Sequence, residues 1–158
     1  MKPEFCNVDL EVISKTDPTA LTKALGNQVD VLWSGPPSGI GWGKRAGYFV
    51  GFEVRSARPG FEGMLNRFCE LIETLPPAAA RIWKRARRRT FDIGFESGEQ
   101  GPALALRIQP KTLARIVASG ATIAITLYPS APYYHAKGAS PSQPEATPQA
   151  KKRSRDKG

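Results

Sequence analysis

From Phe5 to Ile13 the apolar residues Phe5, Val8, Leu10 and Val12 alternate loosely, with the β-branched bias of a strand. Asp17-Pro18 then predicts the start of a short helix, Asp accepting orphan backbone N–H groups and Pro arriving with its φ already set. Leu21, Ala24 and Leu25 share one face of it, and Gly26 supplies a left-handed stop. Ser34 to Lys44 reads as a glycine-rich loop, and Tyr48 to Arg55 as a second strand. The period changes between Phe61 and Leu75, where Phe61, Met64, Leu65, Phe68, Ile72 and Leu75 form one helical stripe that Pro76-Pro77 ends. A second helix is expected over Ala78–Arg88. Strands follow at Thr90–Glu96 and Ala103–Ile108, joined by a hairpin loop at Ser97–Gly101. Pro110 opens another helix, with Leu113, Ile116 and Val117 inward and Gly120 beyond its end, before a last strand at Ala121–Tyr128.

Beyond Pro129 the pattern stops. Pro, Ala, Ser, Gln and Thr dominate Ser130–Ala150, a composition with little to offset the entropy of ordering. The expected organisation is a folded body at residues 1–129 and a disordered tail at 130–158 with a basic end. An internal echo also stands out, in which Pro18, Leu21 and Leu25 recur as Pro110, Leu113 and Val117 at the same offsets. Two strand–helix–strand halves would produce it, and so would two unrelated short amphipathic helices.

With 158 residues, 41% hydrophobic and 23% charged, the chain suits one packed domain. No apolar run reaches the roughly 18 residues of a membrane span, and no secretory leader is visible, so a cytoplasmic protein without a membrane partner is expected. Cys6 and Cys69 stand in no metal or redox spacing, and there is a single histidine, His135. Neither a metal nor a cofactor is expected.

The net charge of +9 is uneven. Residues from Lys137 onward carry six bases and two acids. Arg81–Arg89 carries six bases and no acid, which leaves the remaining body near neutral. On a helical wheel Ala79, Ile82, Trp83 and Ala86 fall together, opposite Arg81, Lys84, Arg85 and Arg88, with Arg89 beside them. Guanidinium groups displayed in that way suit phosphate or carboxylate recognition. The same pattern also describes a solvated helix face whose cations favour its C-terminal end.

The glycine-rich loop fails as a phosphate cradle, because Gly43-Lys44 is followed by Arg45 and Ser38 stands where the first glycine is needed. Its neighbourhood holds Trp33, Trp42 and Tyr48, candidate anchors for a protein partner or lids on the core. Asp92 and Glu96 share a strand face with Glu99 in the loop beyond, and paired carboxylates can divide acid and base roles when their environments differ. Solvated strand carboxylates are the simpler account, His135 lies in the tail, and the cysteines read as small core residues. No catalytic residue is assigned.

Several segments together resemble a bacterial family, domain-of-unknown-function family 4279, over residues 5–128. They are Val8-Asp9-Leu10-Glu11-Val12, Asp17-Pro18-Thr19 with Ala24-Leu25-Gly26, the tryptophan-bearing loop leading to Tyr48-Phe49-Val50, the Leu71–Pro76 helix ending, and the helix–glycine–strand unit Leu113–Tyr128. The resemblance implies a compact α+β domain with no catalytic residues to carry over. By association with similar small families it also implies an immunity role beside a toxin. The Arg81–Arg89 cluster and the basic tail depart from that family's pattern, and for so basic a chain such a partner is expected to be acidic.

The expected fold is therefore α+β, with about five strands in an antiparallel or mixed sheet and helices mainly on one face. The expected function is non-enzymatic binding of an unidentified protein. The alternative is RNA or DNA binding through Arg81–Arg89 and the basic tail.

Overall fold

The computed structural model describes residues 3–35, 47–55, 60–97 and 104–129. Five strands, β1 (Glu4–Ser14), β2 (Val29–Gly35), β3 (Tyr48–Val54), β4 (Arg88–Ser97) and β5 (Thr122–Pro129), form one sheet in the order β2-β3-β1-β4-β5. β1 is central and antiparallel to both neighbours, β2 is antiparallel to β3, and β5 joins β4 in parallel. The helices are α1 (Thr19–Leu25), α2 (Gly60–Glu73), α3 (Pro77–Arg85) and α4 (Pro110–Ser119). The sheet is mixed, the fold is α+β, and one core serves the whole domain.

Alternation decides which side of the sheet is covered. Val8, Leu10 and Val12 of β1, Val50, Phe52 and Val54 of β3, and Phe91, Ile93 and Phe95 of β4 are buried together under the helices. Onto this layer α2 sets Leu65, Phe68 and Cys69, α1 sets Leu21 and Leu25, and α3 sets Ala79 and Trp83. Glu62 of α2 accepts the Gln109 N–H and the Thr112 hydroxyl at the start of α4, at 2.9 and 2.7 Å. Arg115 of α4 returns two hydrogen bonds to Glu73 and one to Asn66, each 2.8 Å, so a polar seam ties α4 to α2. No described helix is long and apolar enough to cross a membrane.

Several expectations need correction. The strand expected at Ala103–Ile108 is absent: residues 104–109 lie outside regular structure, because β5 takes the place beside β4. Leu106 and Ile108 nevertheless pack against the core, which accounts for their alternation. The fifth strand is instead Val29–Gly35, whose alternation is broken by a register shift between Val31 and Trp33. The helix expected to reach Arg88 stops at Arg85, since the Arg87 N–H bonds the Ile13 carbonyl at 2.7 Å and draws the chain into β4. In α4, Ile116 and Thr112 are buried, but Leu113 and Val117 are 40% and 76% exposed, unlike the buried Leu21 and Leu25 of α1. The internal echo therefore does not extend to packing. β1–α1–β2 spans an intervening strand whereas β4–α4–β5 joins neighbours. Gly120 follows α4 in the left-handed conformation, at φ +70° and ψ +22°, whereas Gly26, expected to be a left-handed stop, combines φ +56° with ψ −136° and leads into a single 3-10 turn at Gly26–Gln28. The hairpin loop, His135, Glu99 and the tail lie wholly or largely outside the described residues.

Phe91 is fully buried and its ring lies 5.8 Å from that of Phe68, joining sheet to helix layer. Phe91→Ala is expected to lower unfolding free energy by about 3–5 kcal/mol, measured by urea denaturation.

Candidate functional site

The face of the sheet turned away from the helices has a chemistry that no single segment reveals. Register sets Asp30 of β2 beside Glu53 of β3, Glu53 beside Asp9 of β1, and Asp9 beside Asp92 of β4. Four carboxylates thus cross four strands in one row. Glu11 lies one pleat along β1, and Glu4 is paired with Glu96 toward the other end. By alternation this face carries seven of the chain's 14 acidic residues.

Like charges directly opposite one another on a sheet are destabilising, by a few tenths to about 1 kcal/mol per pair. Local partners offset part of this. Arg55 reaches Asp30 at 2.6 Å, Arg88 reaches Glu11 at 3.3 Å, the Asn7 amide donates to Asp9 at 2.9 Å, and the Thr126 hydroxyl contacts both Asp92 oxygens at 2.7 and 2.9 Å. Burial, then the neighbouring Glu53, Asp92 and Glu11, pushes the Asp9 carboxyl up to about 7. Among the described residues no group of three His, Cys, Asp or Glu side chains converges to hold a metal.

The same face turns apolar toward the β2–β3 corner. Trp33 packs on Phe49 with ring centroids 5.0 Å apart, and Phe49 pairs in register with Ile13. The bulge at Leu32 brings its Cβ toward the open side of Gly51, at 3.8 Å from where a Cβ on that glycine would sit. Glycine at position 51 leaves the surface low between this corner and Glu11. Trp33 is 40% exposed and Leu32 48% exposed, so an aromatic and aliphatic patch adjoins the carboxylate row.

The expected aromatic anchors are divided. Tyr48 alternates with Val50, Phe52 and Val54 and falls on the helix side, lining a groove of about 480 Å³ with Pro18, Thr22 and Gly35. Trp33 faces the open side, so the two do not form one patch. Trp42 lies outside the described residues.

The basic cluster is divided as well. Arg81, Lys84 and Arg85 are exposed on α3, opposite the buried Ala79 and Trp83, as the helical period predicts. Arg88 and Arg89 belong to β4 instead of that helix. Arg88 turns to the open face and Glu11. Arg89 folds back over Trp83, 5.8 Å from its ring centroid, and donates to the Trp83 and Lys84 carbonyls at 2.9 and 3.3 Å. It thereby caps the C-terminal end of α3. Its use is internal, and the expected five-residue anion face is reduced to three cations.

Other candidates are quieter. Asp92 and Glu96 do share a strand face, as expected, and Asp92 belongs to the acidic row. Cys69 is buried, and burial pushes its thiol up to about 11, the state of an unreactive core residue. Cys6 is exposed beside a register shift in β1, so it is not the core residue expected. A cleft of about 220 Å³ between α2, α3 and α4 is lined by Leu75, Trp83 and Lys84, with Arg115 engaged by Glu73 at its side. Comparison with family models, curated proteins and solved structures finds no match to this chain, so the functional reading rests on its own geometry.

Two outcomes follow. Arg89→Ala is expected to destabilise the fold by about 1–3 kcal/mol through loss of the cap and the ring contact, whereas Arg81→Ala and Arg85→Ala stay within about 0.5 kcal/mol, all by thermal unfolding. For Asp9 the folded pKa lies above the unfolded value, so the native state holds the proton more tightly and stability falls as pH rises from about 4 to 7. Asp9→Asn should therefore stabilise the protein at pH 8 relative to wild type by roughly 1–2 kcal/mol, after discounting for solvent screening. The gain should vanish near pH 4, as urea titrations at the two pH values would show.

Proposed function

We propose that the protein is a non-enzymatic binding module that docks a basic protein segment on the open face of its sheet. The observation that carries this reading is the adjacency of Trp33 and Phe49 to the carboxylate row Asp30-Glu53-Asp9-Asp92. A tryptophan beside fixed carboxylates suits Lys and Arg side chains, whose stems pack on the ring while their charges meet the acids. Binding would also relieve the repulsion that the row imposes on the free protein.

The partner's complementary surface is thus basic, the reverse of what net charge alone implied. Neutralisation of a cationic toxin is one form such a role takes, in keeping with the association drawn from the resemblance to family 4279. Nucleic acid is the less favoured ligand, since phosphate is repelled by the open face and α3 presents three cations.

Titration with a short Lys/Arg peptide containing one Trp, alongside short RNA and duplex DNA across a salt series, tests this. The peptide is expected to bind, and Trp33→Ala or the pair Glu53→Gln and Asp92→Asn to weaken it at least about tenfold. Changing Arg81, Lys84 and Arg85 to Ala should leave peptide binding unchanged. Nucleic-acid binding at physiological salt that disappears in this last variant would overturn the reading.

A further inference from the structure

The chain carries its own candidate occupant for the open face. Lys151-Lys152-Arg153-Ser154-Arg155-Asp156-Lys157 places five cations and one acid in seven residues. The open face opposes them with seven carboxylates and the two arginines, Arg55 and Arg88, that already engage Asp30 and Glu11. We propose that this segment docks in cis on the acidic row of the sheet, so that an external basic partner binds by displacing it. The inference rests on the reading of that face as a docking surface.

Reach and connection favour this occupant. Lys151 lies 22 positions beyond Pro129, the last residue of β5. That length of chain extends at most about 75 Å. The distance from β5 to the row's centre on β1 is two strand spacings, about 10 Å, and the whole sheet is about 19 Å wide. The tether is therefore ample, and it holds the segment at an effective concentration on the order of millimolar. Individual exposed charge pairs contribute little, but several acting from a fixed tether need no high intrinsic affinity to populate the bound state. α3, which presents Arg81, Lys84 and Arg85, repels the same segment from the helix side.

Such a contact is electrostatic and so is lost with salt. The docked segment also competes with any basic ligand for the face. Neutralising its five cations in the full chain should tighten binding of the Lys/Arg peptide by about tenfold, without any change on the folded surface.

The experiment attaches a nitroxide label to Ser154→Cys in the full ¹⁵N-labelled chain, with Cys6→Ser removing the exposed thiol. Selective broadening of amides in Asn7–Glu11, Gly51–Glu53 and Thr90–Gly94 at low salt is expected. It should disappear at about 0.5 M NaCl and in the Asp9→Asn, Glu53→Gln, Asp92→Asn variant. Uniform broadening, broadening centred on α3, or broadening that falls on dilution would overturn the proposal. A free peptide of residues 150–158, titrated onto the charge-neutralised full chain, separates the two readings. Peptide binding to the face without contact in cis overturns only the tethered arrangement. Absence of both overturns the docking surface with it.

Discussion

A sheet packed by its helices on one side must send every second residue of its central strand to the opposite face, and in this protein that constraint organises everything else. β1 is hydrogen-bonded on both edges, so it has no freedom to rotate its polar side chains away from their neighbours. Val8, Leu10 and Val12 fix its orientation by burial under the helices. Asn7, Asp9 and Glu11 are thereby committed to the opposite face. Because β3 and β4 obey the same alternation, their own acids arrive beside those of β1, and the row forms as a consequence of register. Slipping any strand by one residue would relieve the repulsion but expose the core, a far larger loss. Hydrophobic register thus holds together charges that would otherwise separate.

The turn from α3 to β4 applies the same logic to the cations. A run of bases that looks continuous in sequence is cut where the Arg87 N–H joins the Ile13 carbonyl. Beyond that point the period changes from helical to two, and consecutive arginines take opposite sides. Arg88 goes to the carboxylates and Arg89 to the end of α3, where the last carbonyls and Trp83 occupy it. The dense guanidinium face of the helical wheel therefore exists only as far as Arg85.

How much was legible follows from where each interaction resides. Helices and most strands were readable because a single segment contains its own period, as in the Phe61–Leu75 stripe or the alternation of Val8, Leu10 and Val12. β2 escaped because the bulge at Leu32 breaks its alternation, and because its partner β3 follows only after the glycine-rich loop. Ala103–Ile108 misled for the opposite reason, since alternate residues can pack on a core without finding a strand to pair with. The site was the least legible part. Asp92 was singled out for its spacing from Glu96, but Asp9, Glu53 and Asp30 lie on three other strands, and only the register brings them together. A strand-by-strand search for polar positions opposite the apolar ones would have found the candidates without finding the row.

Net charge is consequently a poor guide to what this molecule meets. At physiological salt the electrostatic field decays over about 8 Å, comparable to the thickness of a single layer of the domain, about 10 Å. The acidic sheet face and the cations of α3 lie on opposite sides of a two-layer structure and act as separate surfaces. A ligand close to the sheet responds to the carboxylates and to Trp33, whatever the sum over the chain. The surplus of positive charge that seemed to point toward an acidic partner resides on α3 and in the residues beyond β5. Its relation to the acidic row is then a question of geometry and tethering, and the sign of the total does not answer it.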